Sequence, residues 1–169
     1  GDLDYIEALW DSNKLDTNCY ESALENSYEG DTCFKVRVGR REPGDTEDTV
    51  IIEPFTPRIY FPVLDPFNIS APPKEVHLMW TFMEGEEKYL RKEIHKPGTI
   101  ENQIWQMEGD EIKTDVSSVM LVKYGLEAKQ DTGVKRILIV HVPNFKTPSR
   151  HFGISDYKDL VELFFALNN

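Results

Sequence analysis

Glu75-Val76-His77-Leu78-Met79-Trp80-Thr81-Phe82-Met83 is the stretch on which the fold class turns. Val76, Leu78, Trp80 and Phe82 occupy one side of a period-two alternation, and His77, Met79 and Thr81 occupy the other. Successive strand side chains point to opposite faces, so this pattern predicts a half-buried β-strand. Glu84-Gly85-Glu86 then turns the chain, and residues 87–94 read as the antiparallel partner. Lys96-Pro97-Gly98 turns it again. In residues 99–107, Ile100, Ile104 and Met107 also fit a helix, but Gly109-Asp110 follows as a hairpin turn and favours a strand.

Working outward, Phe34, Val36 and Val38 alternate with Cys33, Lys35 and Arg37 up to Gly39, which is a second clear strand signature. Residues 40–48, containing Glu42-Pro43-Gly44-Asp45, read as a turn, and the β-branched run 49–53 reads as a short strand. Ile59, Phe61 and Val63 share a face in a segment punctuated by Pro54, Pro57, Pro62 and Pro66. Proline removes a ladder donor, so this segment suits an edge strand or a crossing between sheets. Residues 116–124 and 134–143 read as two more strands, the second apolar enough to be central and covered on both faces. A cover is on offer in Tyr157, Leu160, Val161, Phe164 and Leu167, which lie at helical spacing after a capping Ser155.

At the other end, Leu3, Ile6 and Trp10 mark one face of a short helix, and residues 11–31, polar and aperiodic, read as a long loop. The expected fold is therefore mainly β with added helices (α+β). It is a single antiparallel β-sandwich or barrel-like domain of about seven or eight strands, with a short N-terminal helix and a C-terminal amphipathic helix. An acidic arm, 1–31, precedes a β-rich core, 32–169.

The chain has 169 residues and a formal charge of −11, from 30 acids and 19 bases. A field of that sign repels nucleic-acid phosphates, so nucleic acid is not an expected partner. Lys35, Arg37, Arg40 and Arg41 are the densest basic group and read as a solvated strand face. No run of about 18 apolar residues is present, so no membrane insertion is expected. The opening Gly1-Asp2-Leu3-Asp4 reads as lacking a targeting segment.

The chemistry-bearing residues are sparse. His77, His95, His141 and His151 have no partner at metal-ligand spacing, and the two in apolar strands, His77 and His141, read as hydrogen-bonded strand histidines. No nucleophile elbow, phosphate loop, metalloprotease helix or calcium loop is present, so neither catalysis nor a cofactor or metal is expected. Cys19 and Cys33 flank an acidic segment that would raise a thiol pKa. In an oxidising compartment they are candidates for a disulfide contributing about 3 kcal/mol. Asn68-Ile69-Ser70 is a candidate glycosylation sequon. Together they give a slight lean towards a secreted or luminal setting.

Tyr5, Trp10, Tyr20, Glu21 and Glu25 combine aromatic and acidic side chains in the arm and are the candidate partner-binding residues. The expected function is a non-enzymatic protein-binding module whose acidic surface engages a basic partner. The alternatives are an intracellular pleckstrin-like adaptor, suggested by element order alone, and a small-ligand carrier with a β-barrel pocket.

Overall fold

The computed structural model describes residues 1–41 and 46–167, and for 162–165 the backbone. The expected turn at Glu42-Pro43-Gly44-Asp45 and the side chain of Phe164 lie outside the described residues. The structure is mostly β, with 41% strand against 26% helix. The chain divides into two compact units, residues 1–57 with 138–169 and residues 58–137.

The first unit holds α1 (Asp2–Ser12), α2 (Leu15–Glu29), β1 (Asp31–Gly39), β2 (Thr49–Phe55), β9 (Ile139–Pro143) and the short C-terminal helix α4 (Lys158–Leu167). Its sheet is antiparallel and three-stranded, in the order β2-β1-β9. The period-two strand around Phe34 is thus the central one. The run 134–143 is corrected on two counts: only Ile139–Pro143 is strand, and it lies at an edge with Val140 and Val142 exposed. A continuous apolar run signals two covered faces only when neighbours and covers are present. The described large apolar side chains of α4, Leu160, Val161 and Leu167, supply none, since they are exposed, as is Tyr157 just before the helix.

The loop expected at 11–31 is largely helix. In α2 the half-buried or buried positions are Leu15, Asn18, Ser22, Glu25, Asn26, Ser27 and Glu29, which follow a helical face but are mostly polar. Hydrophobic periodicity cannot register a helix whose inner face is polar. The helix stops at Gly30, whose φ of 86° is the left-handed conformation that a glycine adopts without penalty.

The corner between α1 and α2 is fixed by Asn13, 2% exposed. Its Nδ2 donates to the carbonyls of Leu9 (2.9 Å) and Val50 (3.1 Å), and its Oδ1 accepts from the Ile52 amide (2.8 Å) and Arg41 Nη2 (3.1 Å). One side-chain amide therefore pairs with the edge of β2 as a neighbouring strand would. The bond from Asn18 Nδ2 to the Asn13 carbonyl (2.8 Å) ties the first turn of α2 to the same point.

The second unit is an antiparallel sheet of β3 (Tyr60–Val63), β4 (Glu75–Glu84), β5 (Glu87–Lys96), β6 (Thr99–Glu108) and β7 (Glu111–Asp115), in chain order, with β8 (Lys129–Asp131) also on β6. The expected partner of β4 and the hairpin at Gly109-Asp110 are both found. The sheet does not close into a barrel. With the first sheet, the described residues hold nine strands instead of seven or eight.

Residues 116–124, expected as a strand, form α3 (Ser117–Lys123). Asp115 Oδ1 accepts the Ser117 amide (2.8 Å), and the Val116 amide donates to Ile104 (3.0 Å). These bonds end the strand and start a helical turn despite the β-branched residues. Met120 and Leu121 are buried with Ile104 against Phe82, Tyr89 and Val116, whereas Val119 and Val122 are exposed.

The register sets Val76, Leu78, Trp80 and Phe82 on the same face as His95, Glu93, Arg91 and Tyr89, their opposites on β5. Four polar groups on this face are buried: Arg91, Glu93, His95 and Asn102. Arg91 Nη2 donates to Asn102 Oδ1 (2.7 Å) and lies 3.4 Å from Glu93 Oε1, while Glu93 Oε2 meets His95 Nε2 at 3.0 Å. Burial lowers the Arg91 pKa, and the Glu93 carboxylate opposes that shift.

Asn13→Ala removes both halves of the clamp on β2 and is expected to cost about 2 kcal/mol. Urea denaturation checks this against Thr17→Ala, an exposed substitution on α2 expected to stay within about 0.5 kcal/mol of the parent.

Candidate functional site

Two features of the first unit carry exposed or chemically distinctive groups: the helical hairpin and a polar cluster where β1, β9 and the C-terminal segment meet. In α1, Asp2 and Asp4 stand in the first turn, where carboxylates favour a helix start. The expected stripe forms but stays exposed: Leu3 is 70% exposed, Ile6 56% and Trp10 42%, and no residue of α1 is buried. A helix of this length is marginal by itself, so its anchors lie at its end. They are the Asn13 corner and a bond from Trp10 Nε1 to Asp16 Oδ1 (3.1 Å), which fixes the indole edge to the first turn of α2.

The structure brings Tyr5 and Trp10 onto α1 and Tyr20, Glu21 and Glu25 onto α2. Tyr5, Trp10, Tyr20 and Glu21 are exposed. Glu25 is half-buried, and its charge acts on the Cys33 thiol. Sequence reasoning missed Leu24 and Tyr28, both exposed, which extend Tyr20 into a second stripe at i, i+4 and i+8. That spacing was present in the sequence and lost its meaning when the segment was read as a loop. Between residues 1 and 31 lie Asp2, Asp4, Glu7, Asp11, Asp16, Glu21, Glu25, Glu29 and Asp31, against the single base Lys14.

The polar cluster centres on Asp31, buried at the start of β1. Its Oδ1 meets His141 Nε2 at 2.6 Å and accepts the Gly153 amide at 2.8 Å. The His151 ring stacks on His141 with centroids 4.7 Å apart, and Phe152 meets both edge-on. Gly153 is required by space: a Cβ there would stand 2.0 Å from the Gly30 carbonyl oxygen and 2.2 Å from that of Asn144. Around this crossing, Asn144 donates its amide to Gly30 (2.9 Å), and Ser155 Oγ donates to the Ser27 carbonyl (3.1 Å). The cluster thus fastens residues 144–156 to the end of α2.

Cys33 lies beside His141 in the register but is fully buried. Burial, reinforced by Asp31 and Glu25, pushes its thiol pKa up to about 12, so it is not a thiolate nucleophile at neutral pH. Cys19 is exposed on α2; both thiols are free, and no disulfide joins them. Among the described residues no group of three or more His, Cys, Asp or Glu is arranged to hold a metal ion. His77 and His141 are both strand histidines with carboxylate partners, Glu75 and Asp31. Asn68 is exposed in the loop after β3, where its backbone bridges to Asp65. Among the described residues no helix is long and apolar enough to cross a membrane.

Burial, and then the neighbouring His141, lower the His151 pKa from its ordinary value of 6.5, with Asp31 opposing and Lys146 adding to the shift. Folding therefore favours neutral His151. Unfolding takes up a proton once the pH falls below about 6.5, so this residue's contribution is intact above that pH and lost progressively below it. His151→Gln is expected to flatten the decline in stability between about pH 6.5 and pH 5, read from urea midpoints. In native protein at pH 8, one equivalent of an aromatic disulfide reagent should react promptly, at Cys19, and Cys33 only after unfolding. Prompt reaction of both thiols would contradict the burial. No protein-family model and no curated protein matches this chain, so the reading of its function rests on its own geometry.

Proposed function

We propose that this protein is a non-enzymatic protein-binding module and that the α1–α2 hairpin is its binding surface, engaging a basic partner. The observation carrying this reading is the pair of unpacked apolar stripes, Leu3, Ile6 and Trp10 on α1 and Tyr20, Leu24 and Tyr28 on α2, set among carboxylates. Single exposed apolar residues are ordinary, but contiguous rows on two adjacent helices mark an interaction surface. The corner at Asn13 and the Trp10–Asp16 bond hold these rows in place before any partner arrives. Less side-chain freedom is then lost on binding.

Aromatic side chains at the centre of such a surface supply most of the affinity, and the surrounding acids steer and orient a positively charged partner. A secreted setting and a glycan on Asn68 are proposals attached to this reading. The exposed sequon supports the second.

The test is titration with an amphipathic peptide carrying Leu at helical spacing and Lys and Arg between, beside a control with Glu at the basic positions. The basic peptide should bind and the control should not. Affinity should fall several-fold between about 0.05 M and about 0.3 M salt. Trp10→Ala combined with Tyr20→Ala should weaken binding about tenfold with the helix signal unchanged. Equal binding of the two peptides would overturn the proposal.

A further inference from the structure

The acids of the hairpin are not equivalent. Asp16 is occupied by the Trp10 indole N–H, whereas among the described residues the side chains of Glu7 and Asp11 have no hydrogen-bond or ion-pair partner. These two stand at i and i+4, as do Ile6 and Trp10 beside them, and the four residues line a notch of about 320 Å³ in the exposed surface of the helix. One wall is apolar and aromatic, and the other is formed by two unpaired carboxylates. The indole is held by its Nε1 edge, so its ring is fixed relative to the notch.

We infer that this notch receives an arginine side chain of the basic partner. The inference rests on the proposed binding role of the hairpin and specifies what the hairpin reads. A guanidinium presents a planar fork of donors to carboxylates and an apolar, weakly hydrated face to an aromatic ring. An ammonium is a compact, strongly hydrated charge that does the second poorly. Glu7 and Asp11 supply acceptors about one helical turn apart. Ile6 covers the aliphatic stem, and Trp10 takes the face of the cation. A lysine would keep the Coulomb attraction and lose the stacking and the fork.

The experiment uses the full chain and two synthetic probes, a nonapeptide of arginine and one of lysine, matched in length and charge and titrated at the same moderate salt. The arginine peptide should bind at least threefold more tightly, the ratio expected from a guanidinium stacked on an exposed indole. Trp10→Ala should bring that ratio to about one while leaving the lysine peptide's affinity within about twofold. Trp10→Phe, which keeps an aromatic face, should retain most of the ratio. Glu7→Gln with Asp11→Asn should weaken the arginine peptide more than the lysine peptide. No residue of α1 is buried, but Trp10→Ala and Trp10→Phe both remove the bond to Asp16, so far-ultraviolet circular dichroism is read on every variant, and a lost ratio counts only where the helix signal is kept.

Equal binding of both peptides, or a ratio that survives Trp10→Ala, would overturn the arginine notch and leave the basic partner standing. Failure of both peptides to bind would overturn the basic-partner reading and the notch with it.

Discussion

The placement of the helical hairpin depends on one amide side chain. Asn13 presents a donor to Val50 and an acceptor to Ile52, the two groups that an adjacent strand residue would have satisfied on the edge of β2. An open sheet edge is a row of unpaired donors and acceptors, which native proteins cover or blunt. Here part of that edge is closed by a helix corner. The same residue terminates α1 and starts α2 through its bonds to Leu9 and Asn18. A hairpin with so little buried apolar surface would otherwise have no fixed orientation. The hydrogen bonds of Asn13 substitute for the packing that α1 lacks, and they leave its stripe free for other use.

Polar groups are buried in both units at points where the chain must be positioned. In the first, the Asp31 carboxylate joins β1 to His141 of β9 and to the backbone of Gly153, across a crossing too tight for any Cβ. In the second, Arg91, Glu93, His95 and Asn102 form a row across β5 and β6 on the face that also carries Val76 and Leu78. Buried polar groups of this kind are costly unless bonded, and when bonded they select one arrangement over its neighbours. Each row ties together strands whose apolar residues alone would tolerate a slip.

The sequence revealed what alternates. β1 and β4 are marked by period two, and Gly85, Gly98 and Gly109 mark the turns that make the second unit a meander. It concealed what does not. The inner face of α2 is Asn18, Ser22, Asn26 and Glu29, so no apolar period advertised it. Val119 and Val122 belong to α3, whose start is set by one Asp115 cap and by bonds from Val116 and Ser117 to Ile104, a residue on β6. Edge position is likewise a property of the assembled sheet, and nothing in the apolar run 134–143 could reveal it. Of the proposed binding residues, Tyr5, Trp10, Tyr20 and Glu21 stand out in the sequence because aromatics in an acidic segment are locally unusual, and the structure leaves all four exposed. The direction of Glu25 depends on α2, which no apolar period marks, and the Asp31–His141 contact was invisible because 110 residues separate its partners.

Charge and shape coincide on the hairpin, and the two have separable consequences. With nine acids and Lys14 alone, the first 31 residues hold most of the chain's net charge of −11. Long-range steering depends on that total and fades with salt over a Debye length of about 8 Å at physiological ionic strength. Contact specificity depends on groups already fixed in direction. Trp10 is one, because its indole N–H is committed to Asp16. Glu7 and Asp11 are complementary in the opposite sense, being uncommitted and standing beside that fixed ring. A surface that were only acidic would attract any cation equally. One that sets unpaired carboxylates against an immobilised indole can distinguish a planar cation from a spherical one.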